Sequence, residues 1–179
     1  MLNTTHPLEL LARLFSYPDE GLLAAVKEAH EHGGGEAAGV GTGAFLAAMG
    51  ERTLPELEEL YIQAFDMNPD VCLDIGWHLF GEDYARGEFL VKVRQELRKY
   101  GLEEKGELPD HITCILPLMA RMPEEESRQF GETFLLPALR KIEKAIGEEN
   151  PYRHLLAALG RRLADSTQTA SRTEGIIHD

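Results

Sequence analysis

The sequence predicts an all-α protein, a single irregular bundle of about seven or eight helices, some of them kinked by proline. Apolar residues recur at three- and four-residue spacing nearly throughout, and no stretch alternates apolar with polar residues as a half-buried strand would. Prolines and glycines fall where the apolar stripes begin or stop. At 179 residues the chain is long enough to bury a real core in one domain. That domain is expected over residues 1–170, with a frayed tail at 171–179.

Leu8, Leu11, Leu14 and Phe15 make the first stripe, and Pro18 in "SYPDE" stops it. Leu22, Leu23 and Val26 suggest a second helix. Residues 33–43, "GGGEAAGVGTG", hold six glycines and are expected to form a flexible loop. A short apolar piece follows (Phe45, Leu46, Met49). Thr53 can cap a helix whose core face is Leu57, Leu60, Tyr61 and Ala64, with Pro55 and Glu56 in its first turn. Pro69, Gly76 and Gly81 break any pattern over 67–82. From Asp83 the stripe Phe89, Leu90, Val93, Leu97, Tyr100 resumes and closes on Gly101. Residues 109–121, 124–146 and a stretch from Pro151 complete the set. Pro117 and Pro137, inside two of these, each remove a helical N–H and are expected to bend the chain there.

The charge is not ordinary. Lys and Arg number 18 against 31 Asp and Glu, for a formal charge of −13 and a sequence pI of about 5.0. Such a surface repels nucleic acid and anionic lipid and attracts cationic ligands or peptides. From Thr53 to Ala85 there are eight acids and no Lys or Arg, which reads equally as a solvated face. No segment approaches the roughly 18 apolar residues of a membrane span, and the N-terminus lacks the pattern of an export signal. Two cysteines do not make a disulfide framework. The expectation is a cytoplasmic protein with no membrane insertion.

Catalytic signatures are missing. The glycine-rich loop lacks the Gly-Lys-Ser/Thr ending of a phosphate loop, and no Gly-X-Ser-X-Gly elbow is present. His30, Glu31 and His32, Cys72 with His78, and the i, i+4, i+8 set Asp70, Asp74, His78 are candidate metal ligands, but none converges from sequence alone, so no metal and no cofactor is expected. The stretch that stands out is "ELPDHI". Pro109 suits a first helical position, which would place Asp110 and His111 in the first turn beside free N–H groups and the positive end of the dipole. Simple capping is one reading. The other is a polar clamp for a peptide, with carboxylate to Arg and imidazole to backbone. On the clamp reading, Asp110→Asn weakens peptide binding and leaves the fold intact.

These residues resemble a known family, the cytoplasmic redox-enzyme maturation chaperones of the nitrate reductase delta-subunit (NarJ) and TorD/DmsD type. The resembling pieces are "LLARLFSYPDE" (10–20), "LEELYIQAFDMNPDVCLDIGWHLFGEDYARGEFLVKV" (57–93), "YGLE" with "ELPDHI", and "NPYRHLLAAL" (150–159), in order over more than half the chain. The resemblance implies a non-enzyme that binds the N-terminal, twin-arginine-like peptide of a molybdenum-cofactor oxidoreductase's catalytic subunit. Such a chaperone holds the apoenzyme for cofactor insertion, as a monomer or a dimer. It implies a peptide-binding region at Pro109, Asp110 and His111, with Leu79 and Phe80 from the "HLF" segment and Trp77 as their neighbour. A helical adaptor for a folded partner, without a cofactor-loading role, is the alternative; an enzyme acting on a small cationic substrate is the third class.

Overall fold

Helix α7 (Ile112–Arg121) is the axis of the packing. Ile112, Ile115, Leu116 and Leu118 are wholly buried, with Cys114 and Met119 nearly so. A helix apolar on nearly every side must be surrounded by others, and each such side chain contributes about 1.5–3 kcal/mol by leaving water. The computed structural model describes residues 6–31, 42–104 and 106–174, with side chains for 6–27, 42–104 and 106–165.

Helix α1 (Pro7–Leu14) lies along α7 through Leu8, Leu11 and Leu14, and Arg121 reaches Glu9 across the pair at 3.5 Å. Helices α2 (Glu20–Glu31) and α3 (Gly43–Met49) pack on each other. Helix α4 (Leu54–Tyr61) opens on a capping box: Glu56 Oε2 accepts the Thr53 N–H and the Thr53 hydroxyl, both at 2.7 Å. It widens without a break into a π turn at Ile62–Asp66, where the Met67 N–H donates to the Ile62 carbonyl. That turn delivers Phe65 inward, 4.8 Å from the Tyr152 ring, with Tyr61 and Phe45 against the same tyrosine.

Helix α5 (Ile75–Phe80) is short and ends at Gly81, with φ 59°. Helix α6 (Tyr84–Lys99) starts on Asp83, whose carboxylate accepts the Ala85 N–H at 2.8 Å. It closes with Gly101 at φ 67°: the Gly101 N–H bonds Arg98 O and the Leu102 N–H bonds Leu97 O, which satisfies two orphan carbonyls and brings Leu97 to Leu102. Helices α8 (Glu124–Phe130) and α9 (Leu136–Ala145) form one continuous path through a second π turn, Gly131–Leu135. Pro137 follows at once. Its ring would strike the carbonyl four residues back, and the wide turn lies there, so the strain expected at Pro137 is taken up as a π turn. Helix α10 (Tyr152–Glu174) packs on α9, α3, α1 and α8.

With α8 and α9 taken together, nine helices stand among the described residues, one more than expected from the sequence; the addition is α5, in the stretch where two glycines hid a pattern. No β-strand occurs among them. Helix α10 continues to Glu174, past residue 171 where a tail was expected, because nothing from Asp165 to Glu174 is a proline or glycine. Residues 32–41 of the glycine-rich region and the last five residues lie outside the described set. No described helix is long and apolar enough to cross a membrane.

Candidate functional site

Two helix starts are fastened side by side. Asp74 and His111, the N-caps of α5 and α7, face each other in an isolated antiparallel bridge. The Ile75 N–H donates to Asp110 O and the Ile112 N–H to Leu73 O, both at 2.9 Å. These bonds require extended backbone at 110–111, and His111 has φ −68° and ψ 140°. The helix therefore starts later than expected. Pro109 is not its first residue but the second position of a turn closed by the His111 N–H to Leu108 O at 3.0 Å, a place its fixed φ suits. Asp110 precedes the helix and His111 caps it.

Asp110 points inward. Its side chain has no exposed surface, and Oδ2 accepts from Arg86 Nε of α6 at 3.1 Å. The same guanidinium reaches Asp74 Oδ2 at 3.2 Å and lies over the Trp77 ring, 5.7 Å from its centre. Asp110 Oδ1 is buried with no hydrogen-bond partner among the described residues. Burial pushes the Asp110 carboxyl above the usual range, and the Arg86 bond pulls it back only in part. Arg86 also loses water, but its bonds to Asp110 and Asp74 outweigh that and hold it more firmly charged than usual. The arrangement depends on Gly76: a methyl group there would run into Asp110 Oδ2 and press on Phe89 Cδ1 at 3.1 Å.

His111 opens the other way. Nδ1 accepts from the Thr113 N–H (3.3 Å) and lies 2.7 Å from the Thr113 hydroxyl. The N–H needs an acceptor, so the proton is assigned to Nε2, which has no partner among the described residues. Burial drives the His111 pKa down against the opposing pull of Glu107, Asp74, Asp110 and Asp66, so the ring is a neutral donor. It lines a cavity of about 810 Å³ between α1, α7 and the end of α6. Ala12, Tyr61, Leu97, Leu102 and Pro117 supply apolar wall. Glu103 and Glu107, which follow α6, line the cavity without a hydrogen bond or ion pair among the described residues, whereas Arg13 and Arg121 on α1 and α7 are tied to Asp19 and Glu9.

The structure thus divides the six residues singled out from sequence. Only His111 lines the cavity. Pro109 is buried in the turn, and Asp110 is buried on its own chain's arginine, so it is not a free carboxylate for a partner. Asp110→Asn would keep the shape of that buried side chain and remove the charge that Arg86 pairs with. Trp77 is half-buried under Arg86; Leu79 is partly buried against the core, and Phe80 packs at 5.4 Å on Phe89. Sequence reasoning missed Arg86, Gly76, Glu103 and Glu107. One signal could have found the first: Arg86 is the cation that ends the acidic run from Thr53 to Ala85.

Among the described residues no three His, Cys, Asp or Glu converge to hold a metal. Cys72 Sγ lies 3.7 Å from His78 Nε2, but that nitrogen is spent on Cys72 O at 2.7 Å. Burial pushes the Cys114 thiol up to about 11, so at neutral pH it is an inert wall group of the cavity.

Comparison with known proteins agrees with this architecture. The family model described as "Nitrate reductase delta subunit" matches residues 34–168. Among curated proteins, the nitrate reductase molybdenum cofactor assembly chaperone NarJ of Escherichia coli K12 is 25% identical over 185 aligned residues, covering 92% of this chain and 74% of that one. Its counterpart from strain O157:H7 gives the same figures. Among solved structures, a putative redox enzyme maturation protein from Archaeoglobus fulgidus superposes with a TM-score of 0.66 at 20% identity, over 92% of this chain and 96% of that one, a likeness of fold. These relatives are named chaperones or maturation proteins, not catalysts.

Proposed function

The chain belongs to the nitrate reductase delta subunit family, and from that premise we propose that it is a molybdoenzyme maturation chaperone that seats a client peptide in the cavity beside His111. The client is the N-terminal segment of a molybdenum-cofactor oxidoreductase's catalytic subunit, held in the cytoplasm until the cofactor is inserted. The observation that carries the reading is the cavity itself: an apolar wall, with two acids and one imidazole N–H that have no hydrogen-bond or ion-pair partner among the described residues.

Each group has a use toward a basic, partly apolar peptide. Glu103 and Glu107 meet Arg or Lys. His111 Nε2–H donates to a peptide carbonyl. Leu97, Leu102 and Pro117 cover apolar side chains. Charge of this kind raises the rate of encounter and selects partners more than it adds affinity, and exposed pairs are screened beyond about 8–10 Å at physiological ionic strength.

The test is affinity capture from the native cytoplasm of cells grown with and without tungstate, which blocks molybdenum cofactor loading. Enrichment of one molybdoenzyme catalytic subunit, stronger in the tungstate culture, supports the reading and names the client. A partner set without any such subunit sinks it.

A further inference from the structure

We propose that Arg86 is a positioning residue for peptide capture: its one guanidinium ties the starts of α5 and α7 together and so fixes the imidazole of His111 on the cavity wall. The inference rests on the function proposed above and assigns a part in it to a side chain outside the cavity.

The geometry has three components. Arg86 Nε holds Asp110 at 3.1 Å while its terminal nitrogen holds Asp74 at 3.2 Å, so the residue before His111 and the residue bridged to His111 share one cation. The guanidinium carbon lies over the Trp77 ring, 5.7 Å from its centre, so the indole faces the charged group from one side. Gly76 leaves the space that lets the Asp110 carboxylate come against α5. The Arg86 side chain is 19% exposed and Asp74 27%, against nothing for Asp110, so the tie is set mainly inside the protein.

An isolated surface pair does not transmit position, because two long side chains exchange it for water at little cost. Here the acids sit on the two backbone segments of the bridge. Loss of the guanidinium frees the 108–111 turn to shift, and the turn carries His111 with it. A lysine keeps the charge but not the planar two-ended grip, so Arg86→Lys releases one of the two acids.

The experiment measures, for the full-length wild type, Arg86→Lys and Gly76→Ala, the affinity for a synthetic peptide with the sequence of the client catalytic subunit's N-terminus. The nitrogen resonances of the His111 imidazole are recorded in the same samples without peptide. Both variants disturb Asp110 from opposite sides and neither touches the cavity. The inference predicts an affinity loss of about tenfold for each folded variant. It also predicts a displaced or broadened His111 signal before peptide is added, and a double variant no worse than the weaker single one. A purely stabilising role would lower the melting temperature and leave the imidazole signal and the affinity of the folded protein in place, which overturns the inference. Should Gly76→Ala not fold, Arg86→Lys decides alone; and in the unaltered protein peptide binding must move the Arg86 Nε–H resonance together with that of His111, or the inference fails. If wild type binds no peptide, the proposed function falls and this inference with it; if wild type binds and the folded variants bind equally well, only this inference falls.

Discussion

Asp110 and His111 are neighbours in sequence and belong to different parts of the molecule. Asp110 belongs to a latch: fully buried, bound to Arg86, close against Gly76. His111 belongs to a cavity wall: its Nδ1 is spent on capping α7 and its Nε2 is left for something else. The extended backbone at the bridge sends successive side chains to opposite sides, so one dipeptide serves two surfaces. A motif that reads as a single clamp is a structural residue followed by a binding residue.

The comparison is broken most severely by removing the buried acid. Asp110→Ala is expected to lower the unfolding free energy by about 3–5 kcal/mol, since it leaves Arg86 with a lost partner and an empty site in the core. Denaturant unfolding checks it, and a loss below about 1 kcal/mol would mean the latch carries little. Gly76→Ala, which forces the same carboxylate to move without removing it, is expected to cost about 1–3 kcal/mol.

On the His111 side the expected stability effect is smaller and depends on pH. Burial lowers the pKa of both His111 and His78 from the ordinary 6.5. A histidine that is harder to protonate when folded contributes nothing adverse above its unfolded pKa, where both states are neutral. Below about 6.5 the unfolded chain takes up the proton first, so stability falls with pH until the lowered folded value is reached. Asp110 works in the opposite sense: its raised pKa means stability present at acid pH is lost as pH rises through the folded value. Melting temperatures across this range in wild type and His78→Gln would show the histidine slope and its reduction.

The smallest expected effects lie at exposed charge. Arg94 pairs with Glu104 through two hydrogen bonds, at 2.5 and 2.9 Å, yet both side chains are about one-third exposed, and Arg94→Ala should leave the denaturant midpoint close to that of wild type. Glu107→Gln should leave stability within about 0.5 kcal/mol and weaken binding of the basic peptide, an effect that shrinks as salt is added. A salt-independent change would show that Glu107 does not face the peptide's charge.

Much of the fold was legible because it follows from local rules. The stripes of α1, α6 and α10, the Thr53 cap and the Gly101 stop all depend on residues within a turn or two of each other. What was not legible depends on distant pairs. Nothing in "PDH" says that Asp110 will meet Arg86, 24 positions earlier, or that the Leu73 and Asp110 carbonyls will accept the N–H groups that open α7 and α5. Those bonds delay the start of α7 by the residues that local propensity assigned to it. The cavity is hidden for the same reason: its walls come from α1, α4, α6, α7 and the residues after α6, and only His111 among the six candidates reaches it.

The division of labour is tested most directly by titrating the client peptide into His111→Asn at neutral pH, beside wild type. Asparagine keeps an acceptor for the start of α7 and lacks the Nε2–H. The account predicts an affinity loss of about tenfold with the melting temperature within a few degrees of wild type. Unchanged affinity in a folded variant would contradict it, and so would a collapse of stability as large as that of Asp110→Ala.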